Sequence, residues 1–137
     1  MKISTKGRYG LMLMIDLALH ASSGTPIALK SIAERQGLSD HYLEQLIAAL
    51  RNAGLVRSIR GAYGGYMLGR SPAEITVADI ILTLEGPLSL VDDEIDDGLA
   101  QLWRRMEDSL LSVMNVMTLQ DLVEMHERGS GNYMYYI

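Results

Sequence analysis

Between Leu38 and Gly69 the chain reads LSDHYLEQLIAALRNAGLVRSIRGAYGGYMLG, and within this run the apolar spacing changes from helical to strand-like. At 100° per residue, Leu43, Leu46, Ile47 and Leu50 cluster on one side of a helix. His41, Gln45, Ala48 and Asn52 lie opposite, with Glu44 and Arg51 on a flank. Ser39 is placed to be its N-cap, Asp40 favours the positive end of the helix dipole, and Asn52-Ala53-Gly54 closes it. Upstream, SSGTPIALKSIAERQG supplies a turn, a short apolar strand around Ile27 and a helix that Gly37 terminates. Two helices joined by a tight turn form a helix-turn-helix. Downstream, LVRSI and GYMLG are strand-like runs separated by RGAYG, whose glycines permit positive φ, so a β-hairpin follows directly. The order predicts a winged helix, mostly α with a small β-wing. One helix face anchors, and the other is free to read.

Charge gives that free face an object. The chain of 137 residues has a formal net charge of −5. Its balance is uneven, since residues 1–70 hold nine Lys/Arg against four Asp/Glu, and residues 71–137 hold three against thirteen. Two halves of opposite field imply two different partners. In the hairpin, Arg57 and Arg60 suit phosphates or a narrow minor groove, Gly61 lets the tip approach a duplex, and Tyr63 or Tyr66 can pack or hydrogen-bond. A phosphate-cradling nucleotide loop fits poorly, because no G-x-x-x-x-G-K-[ST] pattern occurs there. Ser39, Tyr42 and Gln45 on the helix join the candidate DNA-contacting set.

The chain has no cysteine, which removes disulfides, thiol catalysis, thiolate zinc sites and cysteine-held iron–sulfur clusters together. The start, MKISTKGRYGLMLMIDLALHASSG, superficially mimics a secretory signal. Asp16 interrupts the apolar run, and Leu11, Met14, Ile15 and Ala18 fall on one helix face, so a first amphipathic helix and a cytoplasmic protein are expected. No stretch approaches the roughly 20 apolar residues of a membrane span. His20, His41 and His126 lie in separate elements without H-x-x-x-H spacing, and no G-x-S-x-G accompanies them, so neither a metal site nor an enzyme is expected.

After the hairpin, Thr76 is placed to cap a short apolar helix that Gly86 and Pro87 end. VDDEIDDG is an acidic linker, read as solvated. A long helix follows, in which Leu99, Met106 and Val113 repeat every seven residues and Trp103, Leu110 and Met117 repeat four further on. That seam either packs on the chain's own core or forms a two-fold dimer interface, and the dimer is the stronger reading for a DNA-binding unit. Thr118 caps a last helix. The division expected is a winged-helix domain over 1–86, a linker over 87–98, dimerisation helices over 99–128 and a tail over 129–137.

MKISTKGRYGL, YLEQL with RGAYGGY, and TLEGPL together resemble the IscR/NsrR family of winged-helix transcription regulators, over nearly the whole chain. The resemblance implies homodimers that bind imperfect palindromes. His41 and Glu44 fall where such proteins direct helix residues at bases, and a Glu there can accept from cytosine N4. Arg60 matches the wing position that enters the minor groove. Lys6, Arg8 and Arg57 are assigned to phosphates, although Lys6 and Arg8 equally suit a solvated helix start, and Glu44 could instead pair with Arg51 or Lys30. The cluster-bearing members carry three cysteines where this chain has SLVDDEIDDGLAQLW. It cannot hold their cluster, and no cofactor is expected.

Within the family the chain looks most like the cysteine-metabolism repressors of Gram-positive bacteria, with which it shares the ending YMYYI. The resemblance implies control of sulfur-uptake and cysteine-synthesis genes together with cysteine synthase, the O-acetylserine sulfhydrylase, as partner. Another partner of that enzyme, serine acetyltransferase, also ends in isoleucine, and its terminus enters the active site. Tyr133, Tyr135, Tyr136 and Ile137 are therefore the candidate partner-binding tail. They could instead pack on the chain's own dimer or add an edge strand. Two other functional readings stay open: a tail-borne enzyme inhibitor with no role on DNA, and a cluster-free regulator that binds a small molecule directly.

Overall fold

The structure, a computed structural model, describes residues 2–91 and 97–129. The acidic stretch at 92–96 and the tail residues Tyr133, Tyr135, Tyr136 and Ile137 lie outside them. Ser4 opens the first helix, α1 (Thr5–Leu19), by accepting from the Gly7 amide, and the helix ends at His20. Met14 and Ile15 are buried as the amphipathic pattern requires, whereas Leu11 and Ala18 are half-buried. Leu13 and Leu17 are buried as well. A single-stripe reading undercounts this helix because other helices pack around it on several sides.

The helix-turn-helix is α2 (Leu29–Gln36), the Gly37 turn at φ 67°, and α3 (Asp40–Asn52). Ser39 Oγ accepts from the Tyr42 amide at 3.2 Å and so is the N-cap that the sequence predicts. Leu43, Leu46, Ile47 and Leu50 are all essentially inaccessible to water. Burying each such side chain contributes about 2 kcal/mol, so this face fixes the rotation of α3 and hence which residues point outward.

Strands β1 (Val56–Ile59) and β2 (Gly65–Leu68) form an antiparallel pair in the register Val56↔Leu68 to Ile59↔Gly65. Ile27 bridges to Tyr66 through two backbone hydrogen bonds of 2.9 and 2.8 Å, an isolated one-residue bridge where a short strand is expected before α2. Gly65 is required here. Its φ is 155°, and a Cβ would strike the backbone of Ile27 and Ala28.

A capping box between Thr76 and Asp79 starts α4 (Val77–Glu85), which crosses α1 closely enough that a Cβ on Gly10 would run into the Leu84 side chain. The long helix α5 (Ala100–Val116) leads through Met117 and Thr118 into α6 (Leu119–Gly129). Between these helices the chain pairs with the body, Val77 N–H donating to Met117 O at 2.9 Å and Leu119 N–H to Ile75 O at 2.8 Å. Leu119 and Val123 then join the same core as Leu13 and Leu50. The segment 99–128 is thus divided. Its second helix completes the winged-helix core, and only α5 stands at the margin.

Candidate nucleic-acid interface

Because α3 is locked by its buried face, His41, Glu44, Gln45, Arg51 and Asn52 are exposed together on the opposite side and flank. His41 Nε2 lies 3.2 Å from Gln45 Nε2, a contact in which the ring nitrogen accepts and the amide donates. The two side chains present one polar surface one turn apart. Glu44 has no ion-pair partner among the described residues, so pairing with Arg51 or Lys30 does not occur.

The start of α1 is drawn to the same end of α3 by an edge-to-face contact between Tyr9 and Tyr42, with ring centroids 6.1 Å apart and planes at 87°. Tyr42 is therefore half-buried and positions the helix, while Lys6 and Arg8 remain exposed nearby in sequence. Ser39 is exposed with its oxygen engaged in the cap, at the end of α3 where backbone amides favour an anion.

The wing separates its two tyrosines. Tyr66 packs against the core, whereas Tyr63 at the tip is 93% exposed. An aromatic ring held so far from any apolar contact is uncovered surface that a partner can use. Arg60 and Gly61 flank it, with Gly61 at φ 113°. Arg57 is exposed on β1, and its Nη2 lies 3.8 Å from Met67 Sδ. Among the described residues no carboxylate pairs with Lys6, Arg8, Arg57 or Arg60, so four cations remain available to a polyanion.

The structure also contains an ion pair that local sequence patterns could not reveal. Asp16, read as a break in an apolar run, is buried and accepts from Arg35 Nε at 3.0 Å and Nη2 at 2.7 Å, and from Gln36 Nε2 at 3.2 Å. These hydrogen bonds raise the Arg35 pKa above its ordinary value against the opposing effect of desolvation. The pair ties α2 to α1 and so supports the helix that presents α3.

No residue of α5 is buried. Of the proposed seam, Leu99, Met106, Leu110 and Val113 are exposed, joined by Leu102 and by Val116 at 75%. Trp103 and Met117 are half-buried instead, on the side that carries Glu107, Leu111 and Met114. Glu107 there accepts from the Leu90 amide at 3.2 Å. The strict heptad template merged two adjacent stripes, one facing the chain's own body and one facing outward.

Residues 3–125 match the family model Rrf2, described as "Iron-dependent Transcriptional regulator". The chain is 52% identical over 139 residues to the HTH-type transcriptional regulator CymR of Bacillus subtilis (strain 168), covering all of both chains. The solved structure of CymR (YrzC), the global cysteine regulator of B. subtilis, matches with a TM-score of 0.81 at 54% identity, over 91% of this chain and 98% of that one. That of T. potens IscR matches with a TM-score of 0.79 at 48% identity, over 99% and 97%. Iron held as a thiolate-ligated cluster does not fit the residues present, because the chain has no cysteine at all. Nor do three His, Asp or Glu side chains converge among the described residues in a way that would hold a metal ion.

Proposed function

The chain belongs to the Rrf2 family of transcriptional regulators and is not an enzyme, and from that premise we propose a dimeric, sequence-specific DNA-binding repressor of cysteine and sulfur metabolism genes, with cysteine synthase as its signal-sensing partner. The observation that carries the reading is the coincidence of an exposed polar face on α3 with an exposed basic wing whose Arg57 and Arg60 have no carboxylate partner among the described residues.

In this mechanism α3 enters the major groove. Glu44 accepts from a cytosine N4 amino group, and His41 and Gln45 present a donor–acceptor pair to neighbouring base edges. Arg60 and Tyr63 reach toward the minor groove, while Lys6, Arg8, Arg57 and Ser39 hold phosphates and set the register without reading sequence. The outward stripe of α5 joins two copies, so that two recognition helices meet a palindrome-like site. Ile137 places its carboxylate in the amino-acid carboxylate pocket of cysteine synthase, with Tyr133, Tyr135 and Tyr136 adding contact area. Substrate and tail then compete, and abundant O-acetylserine releases the repressor from the enzyme.

The test is DNA binding by the purified protein on a palindromic promoter duplex and on a scrambled one, with and without cysteine synthase and O-acetylserine. The reading expects metal-independent specific binding that falls steeply with salt, tightens with the enzyme and relaxes with O-acetylserine. Equal affinity for both duplexes would refute the DNA role. Specific binding that ignores the enzyme would refute the partner.

A further inference from the structure

Behind the wing lies a cavity of about 330 Å³, which shares Arg57 with the proposed DNA contacts. Leu17 of α1, Ile27, and Met67 and Leu68 of β2 give it apolar walls, and Arg57 and Arg70 stand at its rim. No Asp or Glu is among the described residues that line it. Two carboxylates stand behind that lining: Asp79 Oδ2 lies 3.8 Å from Arg70 and accepts from the Thr76 amide at 2.9 Å, and Asp16 lies 3.5 Å from the ring of His20, a lining residue, and is bound by Arg35.

We propose that this cavity binds a small organic carboxylate that carries no ammonium group. Two guanidiniums form forks suited to a carboxylate, and the apolar walls suit a short carbon chain beside it. An α-amino acid is disfavoured, since its ammonium would join two guanidiniums in a lining that offers no carboxylate to receive it. The size lies at the small end of ordinary ligand pockets, which fits a metabolite rather than a cofactor.

Occupancy has a consequence for DNA, and this step rests on the DNA-binding role of Arg57 proposed above. A guanidinium turned inward to a bound carboxylate is withdrawn from phosphate. Ligand therefore weakens DNA binding, and the dependence of log affinity on log salt becomes shallower by about one per subunit.

The full-length protein is titrated with 2-oxobutyrate, succinate and N-acetylglycine, and with 2-aminobutyrate, which carries an ammonium in place of the keto oxygen of the first, and sulfate, which lacks the carbon chain. Thermal shift and hydrogen exchange are read without DNA, and duplex affinity is read separately. At least one carboxylate should give a saturable rise in melting temperature and protect residues 57–70, while 2-aminobutyrate and sulfate at matched ionic strength should not. Arg70→Gln should weaken that ligand at least tenfold while leaving the affinity for DNA without ligand unchanged, and Arg70→Lys should restore part of the loss. No saturable response to any of the three carboxylates would overturn the site, as would an equal response to 2-aminobutyrate or sulfate, or an unaltered response in Arg70→Gln. Ligand binding by a protein that fails to bind DNA would leave the site standing and remove the repressor reading instead.

Discussion

Replacing Arg35 by methionine should destabilise the fold more than replacing Asp16 by alanine, although the two side chains form one ion pair. The difference comes from what each substitution leaves behind. Asp16 is 5% exposed and Arg35 is 40% exposed. Without the guanidinium, the buried carboxylate keeps only the Gln36 amide at 3.2 Å and the His20 ring at 3.5 Å. A stranded buried charge of this kind costs about 3 kcal/mol or more. Without the carboxylate, the guanidinium can turn to water through its exposed portion, and the loss is two charge-assisted hydrogen bonds already partly screened, about 1–2 kcal/mol. The double variant strands neither group. Its loss should stay near that of Asp16→Ala alone, so the coupling equals the Arg35→Met loss that the second substitution cancels, about 3 kcal/mol between neighbours. Denaturant unfolding of the three variants, at one fixed protein concentration because association adds to apparent stability, checks this. Additive losses, or a larger loss for Asp16→Ala than for Arg35→Met, would refute the reasoning.

Arg60→Ala should weaken specific DNA binding by about 1–3 kcal/mol, whereas Glu44→Ala should mainly relax base preference, since it removes discrimination together with a negative charge near phosphates. Anisotropy titrations on cognate and scrambled duplexes check both, and an equal loss on the two duplexes for Glu44→Ala would show a folding role instead. Met106→Glu combined with Val113→Glu places two charges on the outward stripe of α5, and analytical ultracentrifugation should report monomer with an unchanged helical spectrum. Deleting Ile137 should abolish capture by cysteine synthase while leaving dimer mass and DNA affinity unaltered, and loss of the dimer would assign the tail to the protein's own interface.

What was legible from the sequence was whatever depends on neighbours along the chain. Ser39, Gly37 and Thr76 act within three or four residues of themselves, and the structure places each as cap or terminator. The two faces of α3 follow from helical period alone. The pair Asp16–Arg35 depends on two helices meeting, and no local pattern distinguishes Asp16 from an interruption. The same holds for α6, whose Leu119 and Val123 belong to a core built mostly more than fifty residues earlier. In α5 the apolar arc is wide enough for two stripes, and spacing cannot say which of them the rest of the molecule covers. Tyr63 is the wing tyrosine that the sequence reading places among the candidate DNA contacts. What sequence does not show is why Tyr66 is unavailable: its pairing with Ile27 sets it against the core, while Tyr63 stays exposed at the tip.

The attachment of α5 bears on how a dimer could select a site. Its C-terminal end is fixed to the body by the hydrogen bonds Val77–Met117 and Leu119–Ile75, and its middle by Glu107 on the Leu90 amide. Two of these attachments lie just past the C-terminal end of a helix of 17 residues, about 25 Å long, and one near its middle; with its packing on α4 they restrain it against the body. From the body, rigid packing continues through α4 against α1 and through the Asp16–Arg35 pair to α2, and then across the Gly37 turn to α3. A partner helix docked on Leu102, Met106 and Val113 would therefore set the distance between two copies of α3, without a flexible joint between interface and reading head. Half-sites one helical turn of DNA apart, about 34 Å, would be recognised only when that distance is correct. On this account the dimer contributes spacing selectivity as well as affinity. A dimer formed on this stripe would cover the apolar side chains that a single copy leaves exposed on its longest described helix.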